Sequence, residues 1–204
     1  MPEPPDTPEG DDAVDHVHPL TRAGWRAWLE ANHGRGEGVW LVLYKKATGQ
    51  PTLSVDAYVS EAIAFGWIDS TPKKIDAERS ARWVAPRKPG SNWSRLSKQR
   101  AERMEAAGQM HEAGRAAVDR AKADGSWTAL DDVEDLVVPD DLAAALAERP
   151  PARTEWDAFP PSTRRGILEW ILNAKREATR AKRIDETARL AQDGKRANQW
   201  PPER

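Results

Sequence analysis

The sequence holds no cysteine. That excludes a disulfide scaffold, an iron–sulfur cluster, a thiolate zinc site and a catalytic thiol. It has no apolar run near the ~20 residues of a membrane span, and its acidic N-terminus is unlike the basic start of a secretory signal. Phenylalanine and tyrosine are scarce, two of each, beside ten tryptophans. The chain has 204 residues, 39% hydrophobic and 31% charged, enough for one domain or two small ones and too apolar for disorder throughout. These features predict a soluble, cytoplasmic globular protein with loose ends and no membrane span.

Charge of one sign is lacking overall, with 31 Lys+Arg against 33 Asp+Glu, yet the signs are segregated. Residues 1–21 carry six acids and no Lys or Arg, and residues 71–103 carry ten bases against three acids. Residues 124–148 carry eight acids and no Lys or Arg, and residues 164–183 carry seven bases against two acids. The near-neutral total favours mutual pairing and solvated faces over a nucleic-acid footprint, which leaves a domain strongly basic. Arginine outnumbers lysine 21 to 10. A GC-rich genome produces that bias, so the arginines alone are no phosphate-recognition signal.

Residues 1–19 are rich in Pro, Asp and Glu and read as a disordered tail that includes His16 and His18. Thr21 is a good N-cap for a helix carrying Trp25, Trp28 and Leu29. Gly34, Gly36 and Gly38 break it; no Lys-Ser/Thr or helix follows, so they form no phosphate loop. Val39–Tyr44 is the clearest strand, apolar on both faces and hence central in its sheet. Ser54 caps a helix whose stripe is Val55, Tyr58, Val59, Ala62, Ile63 and Gly66, with Glu61 off it and solvated. Residues 67–75 and 81–85 read as two strands around a polar turn at 76–80, closed by Pro86 and Pro89. Beyond Trp93 the chain turns helical: Ser91 or Asn92 caps a helix that Gly108 ends, and a second helix runs to Gly125. Trp127, Leu130, Val133 and Leu136 make the next acidic stretch an ordered connector. Four more helices follow, carrying Leu142 and Leu146, Trp156 and Phe159, Ile167 to Ala174 after a Ser162 cap, and Ala178 to Ala191 before Gly194. Trp25, Trp28, Trp40, Trp156 and Trp170 are expected in the core, and Trp200 in a frayed end. The expected class is α+β: a small N-terminal α+β domain of strand, helix and hairpin, about three strands, followed by a helical C-terminal region.

Particular segments carry a resemblance. They are Tyr44-Lys45-Lys46-Ala47-Thr48-Gly49, Ala64-Phe65-Gly66-Trp67-Ile68-Asp69, Pro86 through Ser94, and Gly108-Gln109-Met110. Together they resemble the N-terminal part of the YdeI/OmpD-associated, or bacteriocin-protection, proteins. Pro139-Asp140-Asp141-Leu142, Trp170-Ile171, Ala174-Lys175, Thr179-Arg180, Arg183-Ile184 and Gly194-Lys195 resemble that family's C-terminal helical part. Ser70 and Ser97 depart from the pattern, where Gly and Asn are expected. The resemblance spans roughly residues 20–196 and implies a tail at 1–19, an α+β domain at 20–125 and an acidic connector at 126–138. A helical region at 139–196 and a frayed end at 197–204 follow. It implies a stress-associated protein with no established chemistry, no cofactor and no catalytic set.

The residues assemble no known enzyme site. There is no nucleophile elbow and no pair of histidines at ligand spacing. The best candidate constellation lies on the hairpin and its exit loop: Trp67, Asp69, Arg82, Trp83, Arg87, Lys88, Asn92, Trp93 and Ser94. Alternation puts Arg82 and Trp83 on opposite faces of their strand, so an inward Trp83 leaves Arg82 outward. Pro86 and Pro89 stiffen the loop, and Asn92, Ser94 and the following helix N-terminus offer N–H groups to an anion. The leading expectation is a non-enzymatic binding protein for a small anionic ligand or a protein partner. Two others stand beside it: nucleic-acid binding by the basic, Trp-containing 71–103 region, and an enzyme using Asp69 with a basic residue.

Overall fold

A computed structural model describes residues 15–199; Trp200 lies outside them. The chain divides after Trp127 into two compact units, and the class is α+β.

In the first unit the elements are β1 (His16–Val17), α1 (Arg22–Asn32), β2 (Val39–Tyr44), α2 (Val55–Ala64), β3 (Trp67–Lys74), β4 (Arg79–Pro86), α3 (Arg95–Ala106) and α4 (Glu112–Asp124). The four strands form one sheet in the order β1-β2-β4-β3. The doubly apolar β2 is an inner strand, as its composition requires. The sheet has one strand more than expected, because His16–Val17, inside the segment read as a tail, pairs parallel with Trp40–Leu41. Two residues give no periodicity to read, so only the pairing reveals this strand.

Thr21 and Ser54 cap α1 and α2 by accepting from the N–H groups of Gly24 and Ala57, as their side-chain chemistry predicts. Their apolar faces meet one face of the sheet, burying Trp25, Leu29, Tyr58, Val59 and Ile63 against Val39, Leu41, Trp67 and Val84. Glu61 departs from expectation. It is only 2% exposed, because Arg22 Nε and Arg26 Nη1 reach its two oxygens from α1 at 2.6 and 2.8 Å. The helix-wheel argument put it off the stripe but could not see a second helix supplying two cations. Gly66 has φ +76°, and a Cβ there would lie 2.9 Å from the Ala113 carbonyl. This position both ends α2 and lets α4 approach closely.

The second unit is helical: α5 (Asp131–Glu134), α6 (Asp140–Ala147), α7 (Ala152–Ala158), α8 (Pro161–Leu172) and α9 (Glu177–Gln192). Its core holds Leu142, Leu146, Trp156, Ile167, Leu168, Ile171, Ala188 and Ala191. Leu130 and Val133, read as part of a connector, are buried in it. Ala197, in the segment read as frayed, is buried there too. No helix among the described residues is long and apolar enough to cross a membrane.

Candidate functional site

The pairing of β2 with β4 sets Leu41 opposite Arg82, Val39 opposite Val84 and Trp40 opposite Trp83. Paired residues share a face. Arg82 therefore lies on the helix-covered face with Leu41 and Val84, while Trp83 lies on the other, its ring 5.2 Å from that of Trp40. An inward Trp83 with an outward Arg82 is thus reversed. Asp69 pairs with Val84 and joins Arg82 on the covered face. There it hydrogen-bonds the hydroxyl of Tyr58 on α2. Burial, followed by the Asp69 charge, raises the Tyr58 pKa above the ordinary phenol value, while Arg82 and Arg100 oppose the rise.

Arg87 follows β4, its backbone N–H tied to the Gly66 carbonyl at 2.9 Å. It is 6% exposed. Its guanidinium carbon lies 3.7 Å from the centre of the Trp93 ring, and Nη1 donates to the Asn92 carbonyl at 3.2 Å. Its Nε is buried with no hydrogen-bond partner among the described residues. Burial pulls its pKa down to about 10, against the field of Asp69. Behind Trp93 stands Trp127, with ring centres 5.1 Å apart. Lys122 lies over the Trp127 ring at 5.3 Å. Arg87, Trp93, Trp127 and Lys122 thus alternate cation, ring, ring, cation, a sequence that ring quadrupoles favour.

Asp69, Arg82, Arg87 and Trp93 come together. Trp67 does not join them: it is core, donating from Nε1 to the His33 carbonyl at 3.2 Å and meeting Trp28 edge-on. Trp83 is on the opposite face, and Lys88 is exposed. Ser94, rather than Ser91 or Asn92, caps α3 by accepting from the Ser97 N–H at 3.2 Å. Sequence reasoning missed Tyr58, Arg100 and Trp127 as members. The signal for Tyr58 was its place on the α2 stripe, since a buried phenol needs a partner for its hydroxyl.

Two cavities adjoin these residues. One, of about 10 Å³, lies among the 87–91 loop, Trp93, Arg120, Asp124 and Ser126. The other is a groove of about 560 Å³ between α3 and α4, floored by Ala101, Met110, Val118 and Trp127. The Glu105–Arg115 pair, 2.9 Å apart, lies in its wall. Asp69 lines neither cavity. The second unit has a shallower, charged hollow of about 400 Å³ that includes Arg149, Asp185, Arg180 and Asp141, which pair at 2.6 and 2.7 Å. No group of three or more His, Asp or Glu among the described residues could hold a metal ion.

The basic 71–103 block is dispersed. Arg79 pairs with Asp76, and Arg100 and Arg103 pair with Asp56. Lys73 lies over the Trp40 ring, and Arg87 is buried. Asp76 lies within this basic block and Asp56 in none of the acidic blocks, so these contacts are not the pairing of basic with acidic blocks.

Fold and cavities together describe a two-unit α+β protein with its larger groove in the first unit. Residues 135–194 match the family described as Bacteriocin-protection, YdeI or OmpD-Associated, the stretch in which the C-terminal motifs carry the resemblance. Residues 17–117 match a separate model, a domain of unknown function (DUF8412), so the family match is narrower than the span of the resemblance. No curated protein and no solved structure matches the chain.

Proposed function

We propose that this is a non-enzymatic, cytoplasmic binding protein that takes a small organic molecule with an apolar body in the α3–α4 groove. The observation that carries the reading is the groove itself. Its volume falls in the range of small-molecule sites, about 300–1,000 Å³, and its floor joins Met110 and Val118 to a half-buried Trp127. Trp127 is backed by Trp93 and Arg87, so the platform a ligand would stack on is already rigid, which lowers the entropy lost on binding. The rim carries Glu102, Glu105 and Asp119 against Arg115 and Lys122. Charge there does not select an anion, and the apolar body supplies the affinity. The match of residues 135–194 to the bacteriocin-protection family supports a protective role against an antibacterial agent, and with it the stress association.

The test uses methionine methyl groups. Met104 and Met110 are both buried in the core of the first unit, and of the two only Met110 lines the groove. Aromatic fragments screened against protein labelled with ¹³C at the methionine methyls should shift Met110 and leave Met104 nearly still. Val118→Trp, which fills the groove, should abolish those shifts. If no fragment moves Met110 at millimolar concentration, or if Val118→Trp leaves the shifts intact, the reading is wrong.

A further inference from the structure

The face of the sheet that α1 and α2 leave uncovered carries a separate inference, independent of the groove. Alternation puts Trp40 and Tyr44 of β2 on this face, beside their register partners Trp83 and Arg79 of β4. Trp40, Tyr44 and Trp83 are half-buried, and none of them belongs to the core that the helices close over the other face. Gly38 helps to set the row. A Cβ there would lie 2.6 Å from the Trp83 ring, so the missing side chain lets that ring settle against the start of β2. Trp40 meets Trp83 at 5.2 Å and 66°, an edge-on contact that leaves ring surface unstacked. About 13 Å further along β2, Tyr44 carries the His18 ring at 4.8 Å.

Cations flank these rings. The Lys73 ammonium lies 5.0 Å from the centre of the Trp40 ring, and Arg79 stands opposite Tyr44. Arg79 pairs with Asp76 at 2.7 Å, with side chains 33% and 39% exposed, and a pair so open to water yields readily to a phosphate. Charge also divides along the chain. Residues 15–127 carry 18 bases against 13 acids, and the five acids that level the first unit lie in residues 1–14, outside the described residues. The near-neutral total therefore conceals a basic described part of the first unit, the footprint of an anionic partner. A second copy of this face would set cations against cations. A polyanion does not, and the rings favour one whose own flat groups are free to stack. A duplex keeps its base faces inside its own stack, whereas a single strand offers them to aromatic side chains on a sheet.

We propose that the uncovered face of the sheet binds single-stranded nucleic acid, with bases stacked on Trp83, Trp40 and Tyr44 and with Lys73 and Arg79 at the phosphates. The expectation of nucleic-acid binding by the 71–103 region is thereby narrowed to Lys73, Arg79 and Trp83, completed by two rings from β2.

The test is fluorescence anisotropy of a labelled short oligothymidylate titrated with the full chain, with quenching of tryptophan emission as the second readout. Binding should weaken with salt at a log–log slope of about −1.4 for two phosphate contacts on a single strand, and Lys73→Gln should reduce that slope by about 0.7. Trp83→Ala should weaken binding roughly 5- to 150-fold. Because that variant can fail to fold, Trp83→Leu, which keeps an apolar side chain against Gly38, is the second variant and should lose affinity in the same direction. Absence of binding at low salt, equal affinity for a duplex, or an unchanged slope in a folded Lys73→Gln would overturn the proposal. Polyglutamate that displaces the strand at matched charge would make the face a docking place for an acidic segment, the chain's own residues 1–14 included, and would overturn it too. So would a dimer of the chain that Trp83→Leu dissolves. None of these outcomes bears on the fragment shifts at Met110, since no residue of the sheet lines the groove.

Discussion

The two units bury their cores with different chemistry. The first closes on large amphipathic rings: Trp25, Trp67, Trp93 and Tyr58 are all buried. Three of their polar ends find partners inside. Trp25 Nε1 donates to the Tyr58 carbonyl at 3.1 Å, Trp67 Nε1 to the His33 carbonyl, and the Tyr58 hydroxyl bonds Asp69. The second unit closes on Leu, Ile and Ala around Trp156, whose Nε1 has no partner among the described residues. An amphipathic ring carries an obligation to hydrogen-bond into the interior. A ring-rich core therefore draws acids and arginines in after it, and cavities with chemistry arise there. The aliphatic core of the second unit draws in fewer: Thr187 is buried and returns its hydroxyl to the Arg183 carbonyl at 2.7 Å, and the Glu134 side chain is 11% exposed beside Arg165. The same pair of residue types shows the contrast. Arg87 is buried 3.7 Å over Trp93, while Arg183 sits 4.9 Å over Trp170 with both side chains half-exposed.

The largest effects test the cores themselves. Trp25→Ala and Trp156→Ala should each cost about 3–5 kcal/mol in denaturant unfolding, each in the transition of its own unit. Phenylalanine at the same positions separates ring volume from the hydrogen bond. Trp25→Phe takes the indole donor from the Tyr58 carbonyl, which lies inside α2 and keeps its helical N–H donor, whereas Trp156→Phe removes a donor that has no partner among the described residues. Trp25→Phe should therefore be the costlier of the two by about 0.5–1.5 kcal/mol. Equal costs would show that the buried polar ends do not distinguish the units.

Next come the ion pairs. Glu61 is buried between Arg22 and Arg26, and replacing it with Gln leaves two arginines facing a neutral amide. Those arginines are themselves 49% and 35% exposed and can turn to water, so the cost falls below the usual range for a fully buried pair, at about 2–3 kcal/mol. The rim pair of the second unit, Asp141 with Arg180, has both partners partly exposed. Asp141→Asn should cost no more than about 1 kcal/mol. Chemical denaturation of both variants checks the order, and a reversal would mean that charge burial is not concentrated in the first unit.

What was legible in the sequence follows the same division. Elements announced by local chemistry were readable: β2 as an inner strand from its doubly apolar run, α1 and α2 from Thr21 and Ser54, and the helical second unit from its periodic alanines and leucines. The pairing of Arg82 with Trp83 was half readable. Alternation fixed that they oppose, but only the α1–α2 layer decided which of them faces it. Glu61 was misread because its partners come from another helix thirty-five and more residues away. Trp127 was misplaced for a related reason, since its ring completes a stack whose other members, Trp93 and Arg87, lie far back in the chain. Of the candidate constellation, the residues on one sheet face and its exit loop came together, while Trp67 served the core and Trp83 took the other face. The groove had no local signal, being the space two helices leave between them.

The smallest effect is the one most sharply confined to one unit. All four histidines, His16, His18, His33 and His111, lie before Trp127. His18 packs its ring 4.8 Å from that of Tyr44. Burial lowers its pKa below the ordinary 6.5, and the charge of Arg79 lowers it further. A lowered pKa means that the unfolded chain takes up the proton first. The stabilisation is then complete above 6.5 and is lost as pH falls through the folded value. Between pH 7 and pH 5 the first unit should lose stability, by a midpoint shift on the order of 1 °C, while the second unit stays level. His18→Gln should flatten that slope with His33 and His111 still in place. Thermal unfolding followed by unit-resolved NMR reads both transitions in one sample. A slope that survives His18→Gln would remove the role given to His18, and a slope in the second unit would break the contrast between a polar-laden core and an aliphatic one.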